Sequence, residues 1–128
     1  MNEHKKKSAQ CGFHINKKLK NDMRITCCEM GLTLQTAYTI FTKKVLFERK
    51  IPFKVEIGDD DYSSIEKECI FIFRIEPELK ERMKMLCKDM GITLSIAYTI
   101  FSKKVVREKQ IPFEIAMFAD DFTNEKLT

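Results

Sequence analysis

Residues 91–113 read GITLSIAYTIFSKKVVREKQIPF, and residues 31–53 read GLTLQTAYTIFTKKVLFERKIPF. Sliding the chain against itself by sixty positions extends this match to Phe13–Val55 and Phe73–Ile115, where 22 of 43 residue pairs are identical. Self-similarity of this kind indicates an internal duplication, which must be recognised before any single motif is interpreted. The chain therefore contains two copies of one structural unit.

Length and composition predict one soluble domain. The chain has 128 residues, of which 33% are charged and 44% hydrophobic, as is typical of globular proteins. Each copy is close to the size at which an isolated chain is only marginally stable, so the copies are expected to share a core. No apolar run approaches the roughly 18 residues needed to span a bilayer. The basic residues 5–7 are not followed by the apolar segment of a secretory signal. We expect a cytoplasmic protein with no membrane partner.

The cysteines and histidines do not form a pattern that predicts chemistry. The five cysteines have no CxxC spacing, and Cys27 and Cys87 occupy equivalent positions on an apolar stripe. Buried free thiols behave there as small hydrophobic groups. The sequence also contains no glycine-rich phosphate loop and no arrangement typical of a nucleophilic triad. We therefore predict no enzyme activity, no metal and no cofactor.

The net charge of +4 is distributed unevenly along the chain. Residues 1–53 carry a net charge of +7 and residues 70–113 carry +4. Residues 54–69 and 114–128 carry −4 and −3. Basic repeats suit a polyanion, and acidic segments suit a basic partner or simple solvation.

Each copy begins with a short alternating segment, which predicts a half-buried strand over residues 10–15 and again over residues 70–75. The predicted buried faces carry Cys11, Phe13, Ile15, Phe71, Phe73 and Ile75. The opposite faces carry Gln10, Gly12, His14, Ile70, Ile72 and Arg74.

A first helix follows each strand. Asn16 is a suitable N-cap in the first copy, and Pro77 is suited to the first helical position in the second. Gly31 and Gly91 then supply the left-handed conformation that commonly ends a helix. The apolar stripe of these helices, spaced for one core-facing side, is Leu19, Met23, Cys27 and Met30, with Leu79, Met83, Cys87 and Met90.

A second helix begins after Thr33 and Thr93, which are placed as N-caps, and runs to about Arg49 and Lys109. Its apolar residues cover several sides, which predicts that the two second helices pack against each other at the centre of the domain. Four lysines late in these helices are interpreted as a solvated face: Lys43, Lys44, Lys103 and Lys104.

The chain divides into five segments. They are a flexible basic arm (1–9), a first repeat (10–53), an acidic linker (54–69), a second repeat (70–113) and an acidic, apolar tail (114–128). The linker reaches roughly 20 to 25 Å, which permits the repeats to pair within one chain or to swap between chains. The apolar residues of the tail are predicted to dock on a partner: Phe113, Ile115, Met117, Phe118 and Phe122.

Three stretches of the second copy resemble a known family: FRIEPELK at 73–80, MGITLS at 90–95 and IPFE at 111–114. They are similar to the RelB/DinJ antitoxins, which are ribbon-helix-helix transcription factors of bacterial toxin–antitoxin modules. The family ordinarily has one copy per chain and dimerises. The resemblance therefore implies a mostly α fold in which tandem β-α-α units form a single-chain pseudo-dimer, with a two-stranded antiparallel ribbon and four helices.

The resemblance also implies that the ribbon enters the major groove of double-stranded operator DNA. The base-facing residues would be Gln10, Gly12, His14, Ile70, Ile72 and Arg74. The amino ends of the second helices would bind phosphates through Thr33, Leu34, Thr93 and Leu94. A second implied partner is a basic RelE-like toxin, to which the acidic segments are suited.

The sequence is compatible with two functions. The first is a DNA-binding repressor and antitoxin, with unequal half-sites because the two strands differ. The second is an antitoxin-derived protein-interaction module that has lost specific DNA binding, because Gly12, Ile70 and Ile72 cannot hydrogen-bond to bases. Exposed isoleucines would form an apolar patch suited to a protein partner. Further self-association is also left open.

Overall fold

The computed structural model describes residues 8–55, 62 and 67–114. The elements in chain order are β1 (Ala9–Asn16), α1 (Lys17–Glu29), α2 (Leu34–Glu48), β2 (Glu68–Ile75), α3 (Pro77–Met90) and α4 (Leu94–Glu108). The second half of the chain thus repeats the β-α-α order of the first. In this part of the chain no helix has the length and apolar character needed to cross a membrane.

The two strands form one antiparallel ribbon within the chain. Its ladder runs from the pair Ala9 and Ile75 to the pair Asn16 and Glu68. Each strand begins slightly earlier than the alternating pattern predicts. Backbone hydrogen bonds extend the ladder beyond the alternating residues, because they do not depend on the type of side chain. The predicted buried faces are confirmed, except that Phe71 is only partly buried.

The two repeats interlock and share one core. Helix α1 packs mainly on α4, and α3 packs mainly on α2, so each first helix contacts the second helix of the other repeat. The strands also pair between repeats. Neither repeat could bury its apolar faces alone, which confirms the prediction of a single-chain pseudo-dimer.

The second helices meet at the centre of the domain, as the sequence predicts. The rings of Phe41 and Phe101 stack with their centroids 4.3 Å apart. Above them, Tyr38 and Tyr98 lie edge to face with centroids 5.7 Å apart, and the ring of Phe13 stacks on Tyr98 at 4.8 Å. Offset and edge-to-face aromatic pairs of this kind contribute beyond simple area burial.

The predicted helix ends are confirmed. The side chain of Asn16 accepts a hydrogen bond from the N–H of Leu19 at 2.9 Å, and Pro77 is the first residue of α3. Gly31 and Gly91 follow the ends of the first helices with φ of 78° and 77°. These positive φ values are strained for residues with a Cβ atom, which accounts for glycine at both positions.

One interpretation of the sequence was wrong, because the four late lysines do not form a solvated face. Lys104 is only 8% exposed and pairs with Glu108 at 3.0 Å, while Lys44 pairs with Glu48 at 2.9 Å. Lys43 and Lys103 are also partly buried. The aliphatic stem of lysine covers apolar surface while its ammonium group stays near a carboxylate, so a charged residue can line a core.

The described part of the linker contacts α1. The hydroxyl of Tyr62 donates a hydrogen bond to Oδ2 of Asp22 at 2.6 Å, and Nζ of Lys18 lies 5.4 Å from the centroid of the Tyr62 ring. This contact fixes one point of the connection between the repeats.

Of the predicted partner-binding residues, only Phe113 lies among the described residues. Its ring is half-buried, with its centroid 6.1 Å from that of Phe101 and 6.0 Å from Nζ of Lys44. The other four, at positions 115, 117, 118 and 122, lie outside the described residues, as does the basic arm through residue 7. Partner binding by these residues stays a prediction.

Candidate nucleic-acid interface

The outer face of the β-ribbon carries all six residues predicted to face DNA bases, and all six are exposed. The alternation of a strand places every second side chain on the same face, which explains why three from each strand share this surface. They form three cross-strand pairs, Gln10 with Arg74, Gly12 with Ile72 and His14 with Ile70.

The internal two-fold axis passes through the middle pair. The copies are related by sixty positions, so Gly12 corresponds to Ile72, and these two residues are paired directly with each other in the ladder. The axis therefore exchanges the two outer pairs. Because these pairs differ in sequence, the ribbon is symmetric in its backbone and asymmetric in its side chains.

The two ends of the ribbon differ in chemistry. One end presents Gln10 beside Arg74, both of which carry hydrogen-bonding groups, and Nη1 of Arg74 donates to Oγ of Ser8 at 2.9 Å. The other end presents His14 beside Ile70. Arg and Gln are the side chains that typically bind guanine and adenine in the major groove, whereas an isoleucine offers only apolar contact.

The centre of the ribbon is apolar. Ile70 and Ile72 are 55% and 53% exposed. A Cβ atom added at Gly12 would lie 3.4 Å from Cγ1 of Ile72 and 3.6 Å from Cγ2 of Ile70, so both isoleucines lean over the glycine. A shallow groove of about 300 Å³ lies over this region. The absence of a side chain at position 12 thus leaves a depression between two apolar walls.

The amino ends of the second helices are capped as predicted. Oγ1 of Thr33 accepts a hydrogen bond from the N–H of Thr36, and Oγ1 of Thr93 accepts one from the N–H of Ile96, both at 3.0 Å. The first N–H groups of a helix have no intrahelical acceptors, and the cap satisfies only one of them at each of these two ends. Together with the helix dipole, such groups make a helix amino end favourable for an anion.

Leu34 and Leu94 are the first residues of α2 and α4. Their side chains are partly buried against the core, so only their backbone N–H groups are suited to a phosphate. The side chains pack on the core and so hold the amino ends of the two helices in position.

Side chains that the sequence interpretation missed join the helix starts to the ribbon. The N–H of His14 donates to Oγ of Ser95 at 2.8 Å. At the symmetry-related place, the N–H of Arg74 donates to Oε1 of Gln35 at 2.9 Å, and Nε2 of Gln35 donates to the carbonyl of Arg74. Each helix amino end is therefore held at an outer edge of the ribbon. The only sequence signal was that Gln35 and Ser95 occupy equivalent polar positions early in the second helices.

A groove of about 890 Å³ runs along α4 from the ribbon towards the end of the first repeat. Its walls include His14 and Ser95 near the ribbon and Phe53 and Val55 at the far end. Its cationic lining residues are Lys54, Lys103, Lys104 and Arg107.

The buried thiols have the properties of core groups. Burial raises the pKa of Cys27 and of Cys87 to about 11. A thiol with a raised pKa is a poor nucleophile and a poor metal ligand, since the thiolate is the reactive form. Among the residues that the structure describes, no three His, Cys, Asp or Glu side chains are grouped so that they could hold a metal ion.

A two-stranded ribbon backed by four interlocked helices, with a helix amino end at each ribbon edge, defines a ribbon-helix-helix protein, here with both halves in one chain. The model of the RelB antitoxin family matches the sequence twice, over residues 8–72 and 67–125. The chain therefore belongs to the RelB antitoxin family, and it contains two tandem family units. This is a family of toxin–antitoxin antitoxins and not of enzymes. No curated protein and no solved structure matched the chain.

Proposed function

We propose that this antitoxin-family protein acts in the cytoplasm as a transcriptional repressor, placing its β-ribbon in the major groove of operator DNA. The observation that carries the proposal is the placement of a helix amino end at each edge of a ribbon whose outer face is exposed. This geometry supports simultaneous contact with bases and with the flanking phosphates. A major groove about 12 Å wide admits a two-stranded ribbon.

The polar residues of the ribbon and the starts of the second helices have separate roles in this proposal. Gln10, His14 and Arg74 would hydrogen-bond to bases. Backbone N–H groups after Thr33 and Thr93 would bind phosphates on the two sides of the ribbon. The basic character of both repeats supports binding to a polyanion, because neutralised phosphates release counterions and so favour association.

The proposal includes a basic RelE-like toxin as a second partner. The net charges of −4 and −3 in residues 54–69 and 114–128 support attraction to a basic protein. The residues proposed for this contact are Phe113, Ile115, Met117, Phe118 and Phe122. Phe113 is only partly buried against the core, so its exposed part would begin the toxin contact that the later residues continue.

The test is an electrophoretic mobility shift of the purified chain on the DNA upstream of its own gene, at two salt concentrations and with unrelated DNA as competitor. A specific complex that weakens at the higher salt concentration is expected, because phosphate contacts depend on salt. Arg74→Ala should reduce discrimination between operator and competitor. Arg82→Ala is the matched control, since it removes the same charge from α3 and not from the ribbon, and it should leave that discrimination unchanged.

A protein-interaction module that no longer reads DNA is the second candidate, and the exposure of Ile70 and Ile72 favours it. Each residue is more than half exposed, and the two lie on the same face of the ribbon. A basic protein that co-purifies with the chain, together with no shifted DNA complex at low salt, would replace the repressor function with this one.

A further inference from the structure

The exposed face of the ribbon has an apolar part, which cannot recognise bases by hydrogen bonds. Ile72 lies on the internal two-fold axis, opposite Gly12, and Ile70 lies in one outer pair opposite His14. Both isoleucines are more than half exposed. An apolar side chain that stays in water gives up the favourable free energy that its burial would provide. Their position on the proposed base-facing surface makes them suited to contact an apolar group of the DNA.

In the major groove, the C5-methyl group of thymine is the apolar group that a base pair presents. The groove of about 300 Å³ over Gly12 gives such a methyl group a place to contact the two isoleucine side chains that line it. A larger residue at position 12 would fill this space, since even a Cβ atom would be in contact with Ile72 at 3.4 Å.

We propose that Ile70 and Ile72 are specificity-determining residues that read thymine methyl groups at the centre and in one half of the operator. Gln10 and Arg74, at the opposite end of the ribbon, read the other half by hydrogen bonds. The operator is then a composite of a thymine-rich half-site and a half-site read at adenine and guanine. This inference rests on the proposed DNA-binding function.

The backbone symmetry strengthens the argument for a composite site. At each edge of the ribbon a strand N–H donates a hydrogen bond to the start of a second helix, from His14 to Ser95 and from Arg74 to Gln35. On the Arg74 side, Gln35 also donates to the carbonyl of Arg74. Both edges are thus held, and the two halves of the exposed face differ in side chains, most in polarity where the axis exchanges Gln10 with Ile70.

The test replaces thymine by deoxyuracil in the operator found by footprinting. This substitution removes only the C5-methyl group and keeps every hydrogen-bonding group of the base pair. Substitution at the centre, which faces Ile72, and in the half-site that faces Ile70 should weaken binding. The expected loss is about fourfold for each methyl group contacted, the value given by burial of one such group. Substitution in the half-site that faces Gln10 and Arg74 should leave the dissociation constant unchanged.

Protein variants identify the residues responsible. Ile72→Ala should bind the thymine and deoxyuracil operators equally at the centre, and Ile70→Ala should do the same in the half-site. Gln10→Ala is the control, because it should weaken binding while it keeps the full response to deoxyuracil. These side chains are exposed, so thermal melting of each variant should match that of the unmodified chain.

The outcomes separate the two proposals. Two results overturn the recognition of thymine methyl groups by Ile70 and Ile72 and leave the repressor function in place. One is a specific complex whose affinity does not change with deoxyuracil at any position. The other is a loss of affinity on deoxyuracil substitution that is the same in Ile72→Ala and in the unmodified chain. Absence of any specific complex on thymine-containing DNA overturns both.

Discussion

The hydroxyl of Tyr38 lies 2.6 Å from Oγ of Ser102, and the symmetry-related hydroxyl of Tyr98 lies 2.5 Å from Oγ1 of Thr42. Ser102 and Thr42 already use their single hydroxyl hydrogen to donate to the carbonyls of Tyr98 and Tyr38. The tyrosines must therefore donate in both pairs. These two buried hydrogen bonds tie α2 to α4 on both sides of the internal axis, and burial raises the pKa of Tyr98 well above its ordinary value.

Removal of one of these bonds should destabilise the domain measurably. Tyr98→Phe leaves the ring in the core but leaves Oγ1 of Thr42 without its donor, so we expect the free energy of unfolding to fall by about 1 kcal/mol. Urea titration followed by circular dichroism measures the change. Tyr62→Phe is the control. Its hydrogen bond to Asp22 is partly exposed, so removal of that bond should lower the free energy of unfolding by less. Equal losses in the two variants would show that burial of the pair adds nothing.

Pairing of the strands within one chain predicts a melting temperature that does not depend on protein concentration. A dimer held together by swapped repeats would be stabilised by mass action, and its melting temperature would rise with concentration. Differential scanning fluorimetry over a hundredfold range of concentration makes the comparison. A systematic rise would contradict the pairing of β1 (Ala9–Asn16) and β2 (Glu68–Ile75) inside one chain.

The N-caps of the second helices should each contribute to stability. Thr93→Ala removes the oxygen that accepts from the N–H of Ile96, and the expected loss is about 1 kcal/mol. Thr93→Ser keeps an acceptor at the same place and should retain most of the stability. Chemical denaturation of both variants provides the measurement. A serine variant as unstable as the alanine variant would mean that the methyl group of the threonine matters more than its hydrogen bond.

Glycine should be favoured at the carboxyl ends of the second helices. Arg49 and Lys109 have φ of 61° and 58°, a left-handed conformation that costs a residue with a Cβ atom about 1 to 2 kcal/mol. Glycine avoids that strain but loses more freedom on folding, at roughly 0.5 to 1 kcal/mol. Arg49→Gly should therefore raise the melting temperature slightly. Lys50→Gly, one residue later, should lower it or leave it unchanged, and a gain at both positions would contradict the backbone argument.

Stability should decrease at alkaline pH because of the buried thiols. The ordinary pKa of a thiol is 9.0, and burial raises that of Cys27 and Cys87 to about 11. Below pH 9 both states keep the proton, and between pH 9 and 11 the unfolded chain loses it first, so the free energy of unfolding falls as pH rises. The double variant with alanine at both positions should show a smaller fall across this range.

The matched control for the thiols is Cys28→Ala. Cys28 is exposed, so its replacement leaves both buried thiols in place and should keep the alkaline loss that they cause. An unchanged slope in the double variant as well would show that other groups cause the alkaline loss.

Much of the fold could be predicted because its causes are local. The duplication fixes the β-α-α order, and alternation at Phe13 and Phe73 fixes the buried face of each strand. Asn16, Gly31 and Gly91 mark helix ends through backbone preferences that act within a few residues. The left-handed ends at Arg49 and Lys109 could not be predicted, since neither carries the glycine that ordinarily signals this conformation.

The repeat and the strand alternation were enough to predict that two equivalent units share one core and which six residues lie on the exposed face of the ribbon. The pairing of those residues, with Gly12 directly opposite Ile72 on the internal axis, emerges only when the two repeats are folded together. The same is true of the hydrogen bonds that join Gln35 and Ser95 to the ribbon and of the burial of Lys104. Periodicity and capping act over one or two turns of chain, whereas register and burial depend on contacts between residues dozens of positions apart.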